Sequence, residues 1–366
     1  MNITKRNISW WRSSVGEAEI QKITESISKE HISQGPVTEE FEAKFAKALN
    51  VPFAVATSSG TVALLMTMMA AGIKPGDEII VPNRTWVATA NAPLILGAKV
   101  VLVDVLHDAP IMDVSQVINK INSRTKAIIP VHLNGHSVNM KEIHKIAKEY
   151  DLFVVEDACQ ALFSKNSEGF LGTQSDAGCF SLGVTKLITT GLGGVIVTRN
   201  KSTYEKLKLI RTNGTSSNIT PIYKLVGCNF KLSDILASMG VVQLSQVKEK
   251  ILHIKKVYAR YHEAIKPLPY LKMVEVDVSH GELPLYIEVL CKESKRLIKF
   301  LNSKGIYPRP ALPNLGTVPY LGNKEIFPNS KVFAEQGLFL PCGSAQPLEN
   351  VDYVIQSLQE FEEELK

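Results

Sequence analysis

The sequence predicts an α/β protein: a large domain built on a mostly parallel sheet covered by helices, followed by a smaller C-terminal α+β domain. Three observations carry this. The runs at 78–81, 99–103 and 127–131 are continuously apolar, and strands apolar on both faces belong to a parallel sheet buried on both sides. Helical stretches at 86–96 and 140–150 separate the runs. From 231 to about 265 the pattern is helical, with no proline and Gly240 as its one glycine, long enough to link two domains.

The remaining elements follow in chain order. Helical patterns at 16–30 and 38–49 predict two helices packed on the large domain. A strand at 53–56 runs into Thr57, Ser58, Ser59, Gly60 and Thr61, which open a helix, so free N–H groups and hydroxyls there face an anion. Taken alone, Ser-Gly-Thr before a helix is an ordinary N-cap signal. A short buried strand beginning at Leu152 ends in Glu156 and Asp157, and an acid at the carboxyl end of a parallel strand points into the crevice where open α/β sheets bind ligands. After Lys266-Pro267-Leu268-Pro269, 285–290 predicts a strand, and 294–302 and 351–364 predict helices. The expected division is 1–245 for the N-terminal helices and large domain and 246–366 for the linking helix and small domain.

Lys186 lies between two apolar β-type runs, with small hydroxyl residues around it and a glycine turn after it, Gly191-Leu192-Gly193-Gly194. A lysine withdrawn from water deprotonates more easily and becomes a nucleophile for aldehydes. Lysine, Asp157 and an anion cradle at Gly60 and Thr61 are together what pyridoxal 5′-phosphate requires. The amine carries the aldehyde, a carboxylate keeps the ring nitrogen protonated, and the cradle takes the phosphate.

These segments resemble the PLP-dependent sugar aminotransferases of the DegT/StrS type, which are fold type I transferases. The likeness runs along nearly the whole chain in order. It includes Ile32-Ser33-Gln34-Gly35-Pro36, then Val81-Pro82-Asn83-Arg84-Thr85-Trp86-Val87-Ala88-Thr89-Ala90-Asn91, then Val131-His132-Leu133-Asn134-Gly135-His136, Gly227-Cys228-Asn229-Phe230-Lys231-Leu232 and Leu340-Pro341. The resemblance implies a large domain on a mostly parallel seven-stranded sheet, with Lys186 holding the cofactor as a Schiff base and moving the proton. It further implies that Asp157 pairs with the ring nitrogen, Gln160 lies near the phenolic oxygen and Trp86 stacks on the ring. Thr61, the Gly60 backbone and Ser181 are implied to bind phosphate. Asn229 is implied to reach the same phosphate from a neighbouring subunit, making the working unit a homodimer. His132 and Asn134 are expected to be structural strand-end residues.

Two departures from the family pattern stand out. Leu192 occupies the position where the family usually has glutamate, which implies an altered local pocket. Arg84 stands where an uncharged residue is usual; with Arg309 it could form an anion clamp over the cleft entrance, since arginine forks suit carboxylates and phosphates, the alternative being a solvated arginine on a loop. The resemblance implies L-glutamate as amino donor and a nucleotide-linked keto-deoxysugar as acceptor, in making an amino sugar for a cell-surface polysaccharide. The two arginines leave a free acidic keto-sugar, such as an oxidised octulosonate, as the alternative. The dehydrating branch of this fold has histidine in place of the lysine, and Lys186 argues against it.

Composition fits an ordinary soluble enzyme. With 366 residues, 45% hydrophobic and 21% charged, the chain can bury a large core. A formal charge of +5 carried by scattered lysines gives nucleic-acid binding no support. Five cysteines without Cys-x-x-Cys spacing suggest neither zinc nor a disulfide framework, and a reducing cytoplasm is expected. The stretch Met1–Trp11 lacks the apolar core of a secretion signal, and no run has the length of a membrane span. No Gly-x-Gly-x-x-Gly opens a helix after a strand, which argues against a nicotinamide-dependent oxidoreductase. A non-catalytic regulatory relative would be expected to lose Lys186 or Asp157; both are present.

Overall fold

The computed structural model describes residues 6–217 and 219–365, so the first five residues of the N-terminal stretch discussed above lie outside it. Strand β1 (Ile8–Ser9) leads into α1 (Glu17–Ser28) and α2 (Pro36–Ala48). Strands and helices then alternate through β2 (Phe53–Thr57), α3 (Gly60–Ala70), β3 (Glu78–Pro82), α4 (Ala88–Ile95), β4 (Lys99–Val103), β5 (Thr125–Ile128), α5 (Met140–Tyr150) and β6 (Phe153–Asp157). A small hairpin, β7 (Lys165–Asn166) and β8 (Gly169–Phe170), precedes β9 (Ala177–Ser181) and β10 (Gly194–Thr198).

Among the described residues, seven strands share one sheet in the order β2-β10-β9-β6-β5-β3-β4. All neighbours are parallel except β10, which runs antiparallel to both β2 and β9. This topology positions the site, because the carboxyl ends of β2, β3, β6 and β9 converge on one edge of the sheet. Local sequence sets where the elements stop. Ser59 caps α3 by accepting from the Val62 N–H, and Asn139 does the same for α5 toward Glu142, while Asp151 in the left-handed region ends α5.

Helices α6 (Lys201–Arg211), α7 (Asp234–Ser245) and α8 (Val247–Ile265) follow. The single long helix expected over 231–265 is therefore two, parted at Gln246 (φ −95°, ψ 0°). Tertiary contacts override the continuous helical pattern. Gln243, near the end of α7, donates to Ser14 O and Glu19 Oε1 and accepts from the Thr189 N–H, and Lys250 on α8 also donates to Ser14 O. Gly240 sits against the Phe41 ring, where a Cβ would lie 2.7 Å from a ring carbon, so α2 and α7 can approach closely.

The C-terminal region contains β11 (Leu271–Met273), β12 (Ile287–Cys291), α9 (Ser294–Ser303), β13 (Ile306–Tyr307), β14 (Arg309–Pro310), α10 (Pro328–Gln336), β15 (Gly337–Leu340) and α11 (Leu348–Leu365). Its sheet runs β11-β12-β15-β14, antiparallel throughout. β1 pairs with β13, and Trp11 bridges to Cys342, so the N-terminal segment belongs to the small sheet in space. One hydrophobic cluster runs from Phe41, Phe45 and Phe180 through Tyr261 to Leu338 and Phe361, which joins the two regions through a common core.

Candidate active site

Asp157 ends β6 and is buried. The Thr89 hydroxyl donates to its Oδ2 at 2.7 Å and the Cys159 N–H to its Oδ1 at 3.1 Å, while Thr85 and Thr89 hydroxyls bond each other at 2.9 Å. Both carboxylate oxygens are thus oriented from the start of α4 and from the turn after β6.

Lys186 faces the same cleft from the loop between β9 and β10. It lies between two strands as the sequence suggested, but at a bend and only half-buried, so it is less withdrawn from water than expected. The loop closes on itself through Leu182 N–H to Gly193 O and Thr190 N–H to Leu182 O. The Lys186 Nζ donates to Tyr286 Oη at 3.4 Å, and Tyr286 Oη in turn donates to Thr185 O at 3.1 Å. No ion pair with a carboxylate occupies the amine among the described residues, which leaves it available for covalent chemistry.

Gly60 and Thr61 begin α3, with Ser181 opposite at the end of β9. A Cβ on Gly60 would lie 2.9 Å from Ser181 Cβ and 3.0 Å from Cys159 Sγ, so only glycine leaves this cradle open. A helix N-terminus with hydroxyls around it favours an anion. Burial pushes the Cys159 and Cys179 thiols well up, which removes them as competing nucleophiles.

Around this centre, Gln160 Oε1 accepts from the Asn134 N–H at 3.1 Å. Asn134 exchanges side-chain bonds with the Tyr286 backbone, its Nδ2 donating to Tyr286 O at 3.1 Å and its Oδ1 accepting from the Tyr286 N–H. It therefore fastens the chain entering β12 to the turn after β5, a structural part. His132 is fully buried, with Nε2 3.0 Å from Glu156 Oε2, and Glu156 also accepts from the Gly172 and Gln174 N–H groups. Burial alone would raise the Glu156 carboxyl; the bonds from His132 and the two amides outweigh it and hold it below its ordinary value.

Trp86 stands at the rim, 51% exposed. The Arg309 guanidinium lies between two indoles, 4.8 Å from the Trp10 ring centroid and 5.8 Å from that of Trp86. Leu192 lines the cleft and is 67% exposed. Asn229 is exposed and does not line the cleft of its own chain, although its neighbour Phe230 offers a carbonyl to Ser58 N–H and to the Thr57 hydroxyl.

Arg84 differs from the expectation. It is 2% exposed and forms a salt bridge with Glu288 on β12, so it is neither on the entrance loop nor a free cation able to pair with Arg309. The partner lies 204 residues away in sequence, which no local pattern reveals. Tyr286, Thr89 and Glu288 were not singled out by the sequence. Thr89 had a faint signal, a hydroxyl in the first turn of an expected helix, and Tyr286 and Glu288 share one face of an expected strand.

The residues fit pyridoxal 5′-phosphate. The Gly60 cradle is a space a Cβ would fill, the lysine amine is unpaired with any acid, and an oriented carboxylate lies in the same cleft. A profile of the DegT/DnrJ/EryC1/StrS aminotransferase family matches residues 13–359. The chain belongs to that family. It is 34% identical over 331 residues to the GDP-perosamine synthase of Escherichia coli O157:H7, covering 90% of this chain and 91% of that protein. Among solved structures, the aminotransferase TlmJ of Streptoalloteichus hindustanus superposes with a TM-score of 0.94 at 26% identity, covering 98% of this chain and all of that one. An E. coli GDP-4-keto-6-deoxy-D-mannose-3-dehydratase, solved with bound hydrated PLP, gives 0.88 at 26% identity, covering 96% and 99%. The aminotransferase is accordingly a pyridoxal-phosphate-dependent sugar aminotransferase of fold type I. No helix among the described residues is long and apolar enough to cross a membrane.

Proposed function

We propose that this aminotransferase moves the amino group of L-glutamate to a nucleotide-linked keto-deoxysugar, making an amino sugar for a cell-surface polysaccharide. The observation that carries the reading is the convergence of Lys186, Asp157 and the Gly60–Thr61 cradle in one cleft. Its likeness over nine-tenths of its length to a GDP-perosamine synthase, named for a nucleotide-linked amino sugar, supports the acceptor class.

Bound pyridoxal 5′-phosphate supplies a carbonyl that carries the amino group and a ring that accepts electrons when a C–H bond beside the nitrogen breaks. Lys186 would hold the group covalently and, when its amine is free, would serve as the general base and acid that takes and returns the proton. Asp157, fixed by Thr89 and the Cys159 N–H, keeps the ring nitrogen protonated. Gly60, Thr61 and Ser181 take the phosphate, and Trp86 covers the ring face. Gln160, its oxygen already used by Asn134, offers its amide N–H groups toward the phenolic oxygen. Asn229 acts in the neighbouring subunit's site, so the unit is a homodimer, a reading supported by its exposure outside its own cleft.

The test is a screen of keto-sugars, nucleotide-linked and free, with L-glutamate as donor. Turnover of a nucleotide-linked 4-keto or 3-keto deoxysugar is expected. Exclusive turnover of a free acidic keto-sugar such as an oxidised octulosonate would replace the acceptor assignment, and the guanidinium of Arg309 would then be its carboxylate partner.

A further inference from the structure

We propose that Arg84 and Glu288 form a specificity pair that takes a hydroxyl group of the sugar substrate and takes no anion. The inference rests on the sugar-aminotransferase reading above and assigns a part of that cleft to one chemical group.

Both side chains line the cofactor cleft, and both are buried, Arg84 at 2% and Glu288 at 1% exposure. They join different domains, Arg84 lying just past β3 and Glu288 on β12. A buried ion pair is tolerated when its remaining donors and acceptors are satisfied, and here they are not. Arg84 Nη2 bonds Glu288 Oε1, but Arg84 Nε, Arg84 Nη1 and Glu288 Oε2 have no partner and are shielded from water. The guanidinium rests beside the Phe333 ring, 5.3 Å from its centroid, which fills space and satisfies no donor. Asp157 by contrast has both oxygens held.

What the pair lacks defines what it fits. The guanidinium offers donors only, and the carboxylate accepts only. A carboxylate or phosphate could accept from Arg84 but would stand against the Glu288 charge, and an ammonium would make the reverse mismatch. A hydroxyl does both, accepting from Arg84 and donating to Glu288, and a vicinal diol does so with two groups. The pair is also neutral as a unit, so it gives no net attraction to an acidic sugar. Sites built to bond a hydroxyl discriminate strongly against a ligand without one, because the buried groups are then left unpaired.

The experiment compares the holoenzyme with the apolar double variant Arg84→Met/Glu288→Leu and with Glu288→Gln. L-Glutamate and GDP-4-keto-6-deoxy-D-mannose serve as probes, and each half-reaction is followed separately by the cofactor's visible absorption. In the double variant, kcat/KM for the sugar is expected to fall at least about thirtyfold relative to that for glutamate. Glu288→Gln leaves Arg84 uncompensated, so inhibition by 2-oxoglutarate should strengthen. An unchanged ratio, whether both half-reactions fall together or neither falls, overturns the proposal. Should wild type react with glutamate and not with this sugar, the failure belongs to the acceptor assignment, and thermal unfolding then decides the pair's role. A pair retained for ligand recognition predicts a double variant at least as stable as wild type, because apolar replacement of a poorly satisfied buried pair is neutral or stabilising. A clearly lower melting temperature would make the pair a structural tie between domains and overturn the proposal.

Discussion

In the proposed reaction Asp157 is the single side chain on which the chemistry turns. Its two oxygens are committed to Thr89 and the Cys159 N–H, so Asn at this position keeps the shape while losing the charge that protonates the ring nitrogen. Asp157→Asn is expected to lower turnover by several powers of ten, each worth about 1.4 kcal/mol of barrier, with the fold retained by circular dichroism. Activity within tenfold of wild type would contradict the role. Asp157 and Gly60 could be singled out in the sequence because each stands at a strand or helix terminus that local pattern marks, and Lys186 because it is a lone cation between two apolar runs; the fold brings all three to one cleft. Arg84 was visible as an anomaly, but its meaning was not, because the charge that neutralises it sits on a distant strand. A residue's type can be read locally; its ionic partner cannot.

At the scale of elements, hydrophobic period located most strands and helices, and it failed where side chains bond across the fold. The α7–α8 break is the clearest case, with Gln243 and Lys250 both tied to Ser14. The lysine loop is another, since its closure depends on backbone bonds between residues that look like strand. The turn after β5 carries a pH prediction. His136 is buried, its Nε2 has no partner, and burial lowers it from its ordinary 6.5 to about 4. The unfolded chain therefore binds a proton that the folded chain refuses between those values, and stability contributed by neutral His136 is lost as pH falls through that window. The limit is about 3 kcal/mol. Glu282, 3.7 Å away, works in the opposite sense because burial raises its carboxyl. The check is therefore a difference: urea unfolding of wild type and His136→Asn from pH 7 to pH 4, with the wild type expected to lose more stability. Parallel curves would show that His136 is protonated in the folded protein.

For the whole molecule, the α/β class, the large sheet and the smaller C-terminal sheet were legible because continuous apolar runs and helical spacing survive in one sequence. The antiparallel β10 and the crossing of β1 to the small sheet were not, since strand direction and pairing are set by long-range packing. Assembly belongs to this scale. With Asn229 exposed and outside its own cleft, a site completed by the neighbouring chain predicts that inactive Lys186→Ala and inactive Asn229→Ala proteins, once mixed, recover part of the activity in hybrid dimers. No recovery after demonstrated subunit exchange would mean that each chain builds its own site. The account as a whole turns on Lys186, the one lysine among the described residues that line the cleft beside Asp157 and the Gly60 cradle. The direct measurement is borohydride reduction of the yellow holoenzyme followed by peptide mapping. The account predicts the cofactor fixed to the peptide containing Lys186 and to no other lysine; a label on a different lysine would contradict it.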